Sequence, residues 1–146
     1  MIRDFFGYFL VESIYCAIFA QIYEISGLAN MTDSVFLYGI ANCDTIKKAR
    51  TWLIHRDIEF QFHDYRKQGL DSELLKTWVQ DLGWEVLVNR RGTTWRQLTP
   101  EVKDTLDTDS AIELMLANPA IIKRPLLVKA GQGYLGFSDQ LYSQIF

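Results

Sequence analysis

The 146 residues hold little cysteine, histidine and proline: 2 Cys, 2 His and 3 Pro. Cys16 and Cys43 are too few for a disulfide framework, and no C-x-x-C pair occurs. With His55 and His63 as the whole histidine supply, a structural zinc site is not expected. A reducing cytoplasm is the expected compartment. Excess positive charge is lacking as well. Fifteen Lys and Arg stand against eighteen Asp and Glu, a formal charge of -3. Direct nucleic-acid binding is therefore not expected, since that surface needs clustered cations. What is present is a globular mixture, 49% hydrophobic and 23% charged. It excludes collagen-like, low-complexity and disordered classes. The length suits one domain with a sizeable core.

Residues 1–30 differ from the rest. Between Phe5 and Tyr23 the only charge is Glu12. A membrane anchor needs about 20 apolar residues, and here Glu12 and Gln21 interrupt the run. A secretory leader needs a basic start, which Asp4 cancels against Arg3. The segment reads as an upstream extension outside the functional domain, with Met31 as the natural start. An amphipathic helix on the domain or on a membrane surface, and an anchor, are the alternatives; membrane association is not expected. Cys16 falls inside this stretch and reads as a small apolar residue.

After Met31 the pattern alternates. Val35–Tyr38 reads as a buried strand. Asn42 offers a helix cap, with a helix from Cys43 to His55. Ile58–Tyr65 alternates as a second strand. Asp71 caps a helix that Gly83 stops. Residues 84–88 are ambiguous, and residues 89–94 read as a polar loop. A helical turn at residues 95–98 follows, then a helix beginning at Pro100. Asp109 or Ser110 caps the next helix, which closes at Asn118-Pro119. Leu126–Lys129 and Tyr134–Phe137 form a hairpin around Gly131-Gln132-Gly133. Ser138 caps a last helix. Residues 31–146 thus form a single α/β domain, βαβ and ββα with a helical segment inserted between the halves.

The tract Tyr38-Gly39-Ile40-Ala41-Asn42-Cys43-Asp44-Thr45, then Lys47-Lys48-Ala49, is specific. So is Asn118-Pro119 with Ile122-Lys123-Arg124-Pro125-Leu126-Leu127. With Arg91-Gly92-Thr93 and Leu135-Gly136-Phe137, they resemble the arsenate reductase (ArsC)–Spx family, in its glutaredoxin-related branch. The pattern is most similar to the YffB-type arsenate-reductase-like proteins, over residues 35 to about 144. The resemblance implies a thioredoxin-like fold with Cys43 as nucleophile. It implies that Arg124 holds an oxyanion and that Pro125 is the cis-proline of such folds. Arg91 falls where another anion-binding arginine is found; Asn42 and Thr45, flanking the thiol, complete the implied anion- and substrate-binding set. Two departures count against arsenate as substrate. No arginine follows Arg124, and Asp44 stands where the arsenate reductases have a small neutral residue.

At a helix N-terminus, Cys43 would have its thiolate favoured by free N–H groups and by the helix dipole. Asp44 would oppose this, and Arg124 and Arg91 would add to it. Lys47, Lys48 and Arg50 read as a solvated helix face or as a landing site for an acidic ligand. Arg90 reads as a surface charge. A single thiol needs an external thiol to complete a cycle, and glutathione is the usual cytoplasmic one. The expected activity is that of a glutathione-dependent monothiol reductase related to arsenate reductase. Glutathione is then co-substrate to a small oxyanion or disulfide, with no bound cofactor. Two alternatives remain: a regulator like Spx, which binds RNA polymerase and senses oxidation through a C-x-x-C pair, and a redox-inert interaction module.

Overall fold

The computed structural model describes residues 34–146. The expectations for residues 1–30, with Cys16 and the start at Met31, lie outside the described residues.

Strand β1 (Val35–Gly39) is built from β-branched and aromatic residues and is buried almost throughout. Such a run suits a central strand covered on both faces. It pairs in parallel with β2 (Gln61–Asp64) and antiparallel with β3 (Leu126–Lys129). β3 continues antiparallel into β4 (Gln132–Leu135). The sheet order is β2-β1-β3-β4. Successive side chains of β1 face opposite ways, as strand geometry requires. Val35 and Leu37 pack with Ala49, Trp52 and Leu53 of α1 (Asp44–Ile54) and with Tyr142 of α8 (Asp139–Ile145). Tyr38 packs on the other side, with Leu75 and Trp78 of α3 (Ser72–Leu82) and Met115 of α7 (Thr108–Ala117).

This is the expected thioredoxin-like fold. The inserted segment comprises α2 (Tyr65–Gln68), α3, α4 (Trp84–Leu87), α5 (Thr93–Gln97), α6 (Pro100–Asp104) and α7. A 3-10 turn, Pro119–Ile121, leads back towards the sheet. The Arg124–Pro125 bond is cis. Among the described residues no helix is long and apolar enough to cross a membrane, and no group of three or more His, Cys, Asp or Glu could hold a metal.

Several boundaries differ from the sequence reading, each for a local reason. β2 begins at Gln61 instead of Ile58, because the Ile58 amide donates to Leu53 O at 3.1 Å and belongs to the end of α1. Asp107 caps α7, rather than Asp109 or Ser110: its carboxylate accepts from the Ser110 amide at 2.9 Å, and Ser110 Oγ accepts from the Asp107 amide, a reciprocal capping box. The hairpin turns at Ala130-Gly131, with φ of 50° and 77°. A two-residue loop with both φ positive matches the strand twist, so β4 begins at Gln132. Thr93 and Thr94 already belong to a helix, α5, rather than to the loop before it.

Candidate active site

The site starts where β1 ends. Gly39 packs so closely on the Ile46 side chain that a Cβ there would collide with it, and Arg124 Cγ lies 3.7 Å from the same point. The glycine thus lets the strand end, the first turn of α1 and the Arg124 stem come together. Ala41 follows, its amide donating to Asp64 Oδ2 at 3.1 Å.

Cys43, rather than Asn42, is the N-cap of α1. Its backbone is extended (φ -135°, ψ 127°), and its carbonyl accepts the first helical bond from Lys47 N at 3.0 Å. Asn42 lies one residue outside the helix and is exposed. The Cys43 side chain closes no full capping hydrogen bond, so the first-turn amides remain available to an anion. Partial burial pushes the thiol up, but the amides of Ile46 and Thr45 and the guanidinium of Arg124 outweigh it. The net pKa falls below the ordinary thiol value. Thr45 contributes through its backbone. Asp44 pairs with Lys47 at 3.5 Å with its side chain 92% exposed. Water screens a charge placed so.

Arg124 is half-buried before the buried Pro125. One guanidinium nitrogen, Nη1, donates to Ala120 O at 2.7 Å and fixes the side chain. Its Nε is buried without a partner, and so is the hydroxyl of Tyr65. Burial pushes the Tyr65 phenol well up, against the opposing pull of the Arg124 charge. An unpaired buried hydroxyl costs about 1–3 kcal/mol. Tyr65→Phe should therefore leave stability unchanged or raise it by up to about 1 kcal/mol. A clear drop in the denaturant midpoint would show that the hydroxyl is paired in solution.

Beyond Arg124 a groove of about 670 Å³ opens, lined by Arg90, Arg91, Lys123 and Arg124, with Glu85 as its acidic member. The structure thus brings Arg91 and Arg124 together, and Arg124 links this groove to Cys43. The Arg91 loop is well held. Asn89 N donates to Ile121 O at 2.8 Å, and Arg96 donates twice to Arg91 O, at 2.8 and 3.3 Å. Arg90 is exposed, as expected of a surface charge, and its guanidinium lies over Trp84 and Trp95 at 5.8 and 5.5 Å from the ring centres. Sequence reasoning missed Lys123 as a lining residue. It also missed Asp64, the charged residue that is buried among those described, at 6% exposure. The Asp64 carboxylate accepts from Arg66 N at 2.8 Å as well as from Ala41 N, and so ties the Cys43 loop to the end of β2.

The ArsC family profile matches residues 38–145 of this chain. The chain belongs to the ArsC family. An uncharacterized protein of Haemophilus influenzae is 45% identical over 112 residues, 77% of this chain and 98% of that protein. The global transcriptional regulator Spx of Lactiplantibacillus plantarum is 26% identical over 107 residues, 72% of this chain and 80% of its own. Among solved structures, the YffB protein superposes with a TM-score of 0.72 at 47% identity, covering 76% of this chain and 97% of that one. The solution structure of an arsenate reductase (ArsC) related protein from Brucella melitensis gives 0.66 at 47% identity, covering 81% and 97%. This ArsC-family chain thus has both arsenate-reductase-like proteins and Spx regulators as relatives.

Proposed function

We propose that this ArsC-family protein is a glutathione-linked thiol reductase with Cys43 as its nucleophile. The observation that carries this reading is the position of Cys43: an N-cap thiol whose anion is favoured by the amides of Ile46 and Thr45 and by Arg124. The Cys43 thiolate attacks the glutathionyl sulfur of a mixed disulfide. A Cys43–glutathione disulfide forms, and the substrate leaves as a thiolate that takes a proton from water. The thiolate of a second glutathione then attacks the glutathionyl sulfur of the adduct. Oxidised glutathione leaves, and Cys43 returns as the thiolate. The substrate disulfide gains two electrons, which glutathione supplies. Arg124 and Arg91 offer planar donor forks to the carboxylates of glutathione.

Oxidised glutathione should give one adduct, mapped by peptide mass to Cys43. Its rate should rise with pH and level off below the ordinary thiol range, because the reacting species is the thiolate. No adduct, or one only on Cys16, would overturn the reading. A second reading, binding to RNA polymerase, is supported by the Spx relatives at 25–27% identity. Ile46 stands where a C-x-x-C pair would place its second cysteine. Capture of purified RNA polymerase by the full chain, together with a Cys43 that titrates as an ordinary thiol, would favour that reading.

A further inference from the structure

One acidic side chain stands in the wall of the cationic groove. Glu85, in the first turn of α4, lines it together with Arg90, Arg91, Lys123 and Arg124. The ion pairs among the described residues are Lys47 with Asp44 and Lys76 with Glu73, so none of these four cations neutralises Glu85. Two of the four are engaged elsewhere: Arg90 lies over the rings of Trp84 and Trp95, and Arg124 Nη1 donates to Ala120 O. Glu85 is exposed, so its carboxylate is open to a ligand in the groove. For a plain anion such a carboxylate is a handicap, since it repels what the four cations attract.

The charges of glutathione give that carboxylate a use. The glycine end carries a carboxylate alone, while the γ-glutamyl end carries a carboxylate and an ammonium on one carbon. Cations alone would hold either end, in either direction. One acid beside the guanidinium groups makes the two ends unlike. The groove volume of about 670 Å³ lies within the ordinary range for a small-molecule site, and an extended tripeptide spans about 10 Å. Cys43 is not part of the wall, but Arg124 is, and it acts on Cys43 through a hydrogen bond and its charge. We infer that Glu85 accepts the α-ammonium of the γ-glutamyl end and so fixes the direction in which glutathione lies along the groove. This inference rests on the reductase reading and names a specificity-determining residue for it. A glutathionyl group is favoured over oxyanions and dicarboxylates that carry no ammonium.

The full chain is titrated with S-methylglutathione, which cannot exchange its sulfur, and with the same molecule lacking the α-amino group, binding being read from amide chemical shifts. Glu85→Gln should weaken S-methylglutathione binding about threefold or more, the scale of one solvent-exposed ion pair. It should leave binding of the des-amino ligand unchanged or tighten it, since an acid has left a cationic groove. Glu85→Asp, which keeps the charge, should hold S-methylglutathione within about twofold of the parent protein. General electrostatics alone gives the opposite sign, with Glu85→Gln binding both ligands more tightly. Equal or tighter binding of S-methylglutathione by Glu85→Gln, an equal loss for the two ligands, or no binding to the parent protein would overturn the assignment. A Cys43 that gives no adduct with oxidised glutathione would overturn the reductase reading, while the comparison of the two ligands would still decide the role of Glu85.

Discussion

Arg124→Ala should raise the Cys43 pKa towards the ordinary thiol value and slow adduct formation with oxidised glutathione by about 10- to 150-fold. That range is the loss of one charge-assisted hydrogen bond of about 1.5–3 kcal/mol, made to the thiolate and to the incoming anion in the transition state. Arg124 contributes to Cys43 both through a hydrogen bond and through its charge. The effect on folding should be far smaller. The variant loses the bond from Nη1 to Ala120 O, but it also removes the Nε that is buried without a partner. Stability should therefore fall by about 1 kcal/mol or less. Arg124→Lys should restore part of the rate, because an ammonium supplies charge without the planar fork. The pH dependence of stability should change as well. A thiol whose folded pKa is depressed stabilises the fold above its unfolded value, and that contribution is lost as pH falls through the folded value. In Arg124→Ala this contribution should shrink. A variant with an unshifted thiol titration and an unchanged rate would return Arg124 to a structural role.

Arg124 was legible in the sequence because its signal is local, an arginine directly before a proline in a short motif. Cys43 was legible for the same reason, and β1, α1 and the hairpin because apolar runs and turn residues mark them without help from distant parts. The helix caps were less so. Asn42 and Cys43 are adjacent, and only the backbone geometry shows which of them closes α1. Asp107, Asp109 and Ser110 all suit a cap, and the reciprocal bonds between the first and the last decide it. The rest of the site depends on residues far apart in sequence. Arg90 gains its place from Trp84 and Trp95, on separate helices either side of its loop. Lys123 becomes a groove residue only because its amide pairs with Leu87 O at 2.8 Å, which draws α4 towards the strand entry. Asp64 is the clearest case. Its alternation with apolar residues puts it on a buried face, but its use appears only when parallel pairing sets Gly39 opposite Asp64 and so brings Ala41 within reach.

Asp64→Asn should lower stability by about 3 kcal/mol and also blunt the reactivity of Cys43. The carboxylate accepts two backbone hydrogen bonds, from Ala41 N at 3.1 Å and from Arg66 N at 2.8 Å, while 6% exposed. Burial pushes its pKa up, but those amides and the charge of Lys67 outweigh it and hold the carboxyl below the ordinary range. An amide side chain offers one oxygen and must present its NH2 to the second donor, so one buried N–H is left facing another. Losing one bond to a charged acceptor, about 1.5 kcal/mol, together with leaving a buried N–H facing the new NH2, about 1–3 kcal/mol, leads to the expected figure. For a domain of this size it corresponds to a melting-point drop of roughly 10 °C or more. In the parent protein the same bonds should make stability fall as pH drops through the depressed Asp64 pKa, since a carboxylate stabilises the fold only while ionised. Asp64→Asn should lack that part of the acid transition. The Ala41 amide is the tether of the loop that presents Cys43, so freeing it should let the thiol move from the Thr45 and Ile46 amides and raise its pKa. Asp64→Glu, which keeps the charge but shifts the carboxylate by one methylene, should recover part of the thiol pKa. If Asp64→Asn lowers the melting point with the Cys43 titration unmoved, Asp64 holds up the fold and has no part in positioning the nucleophile.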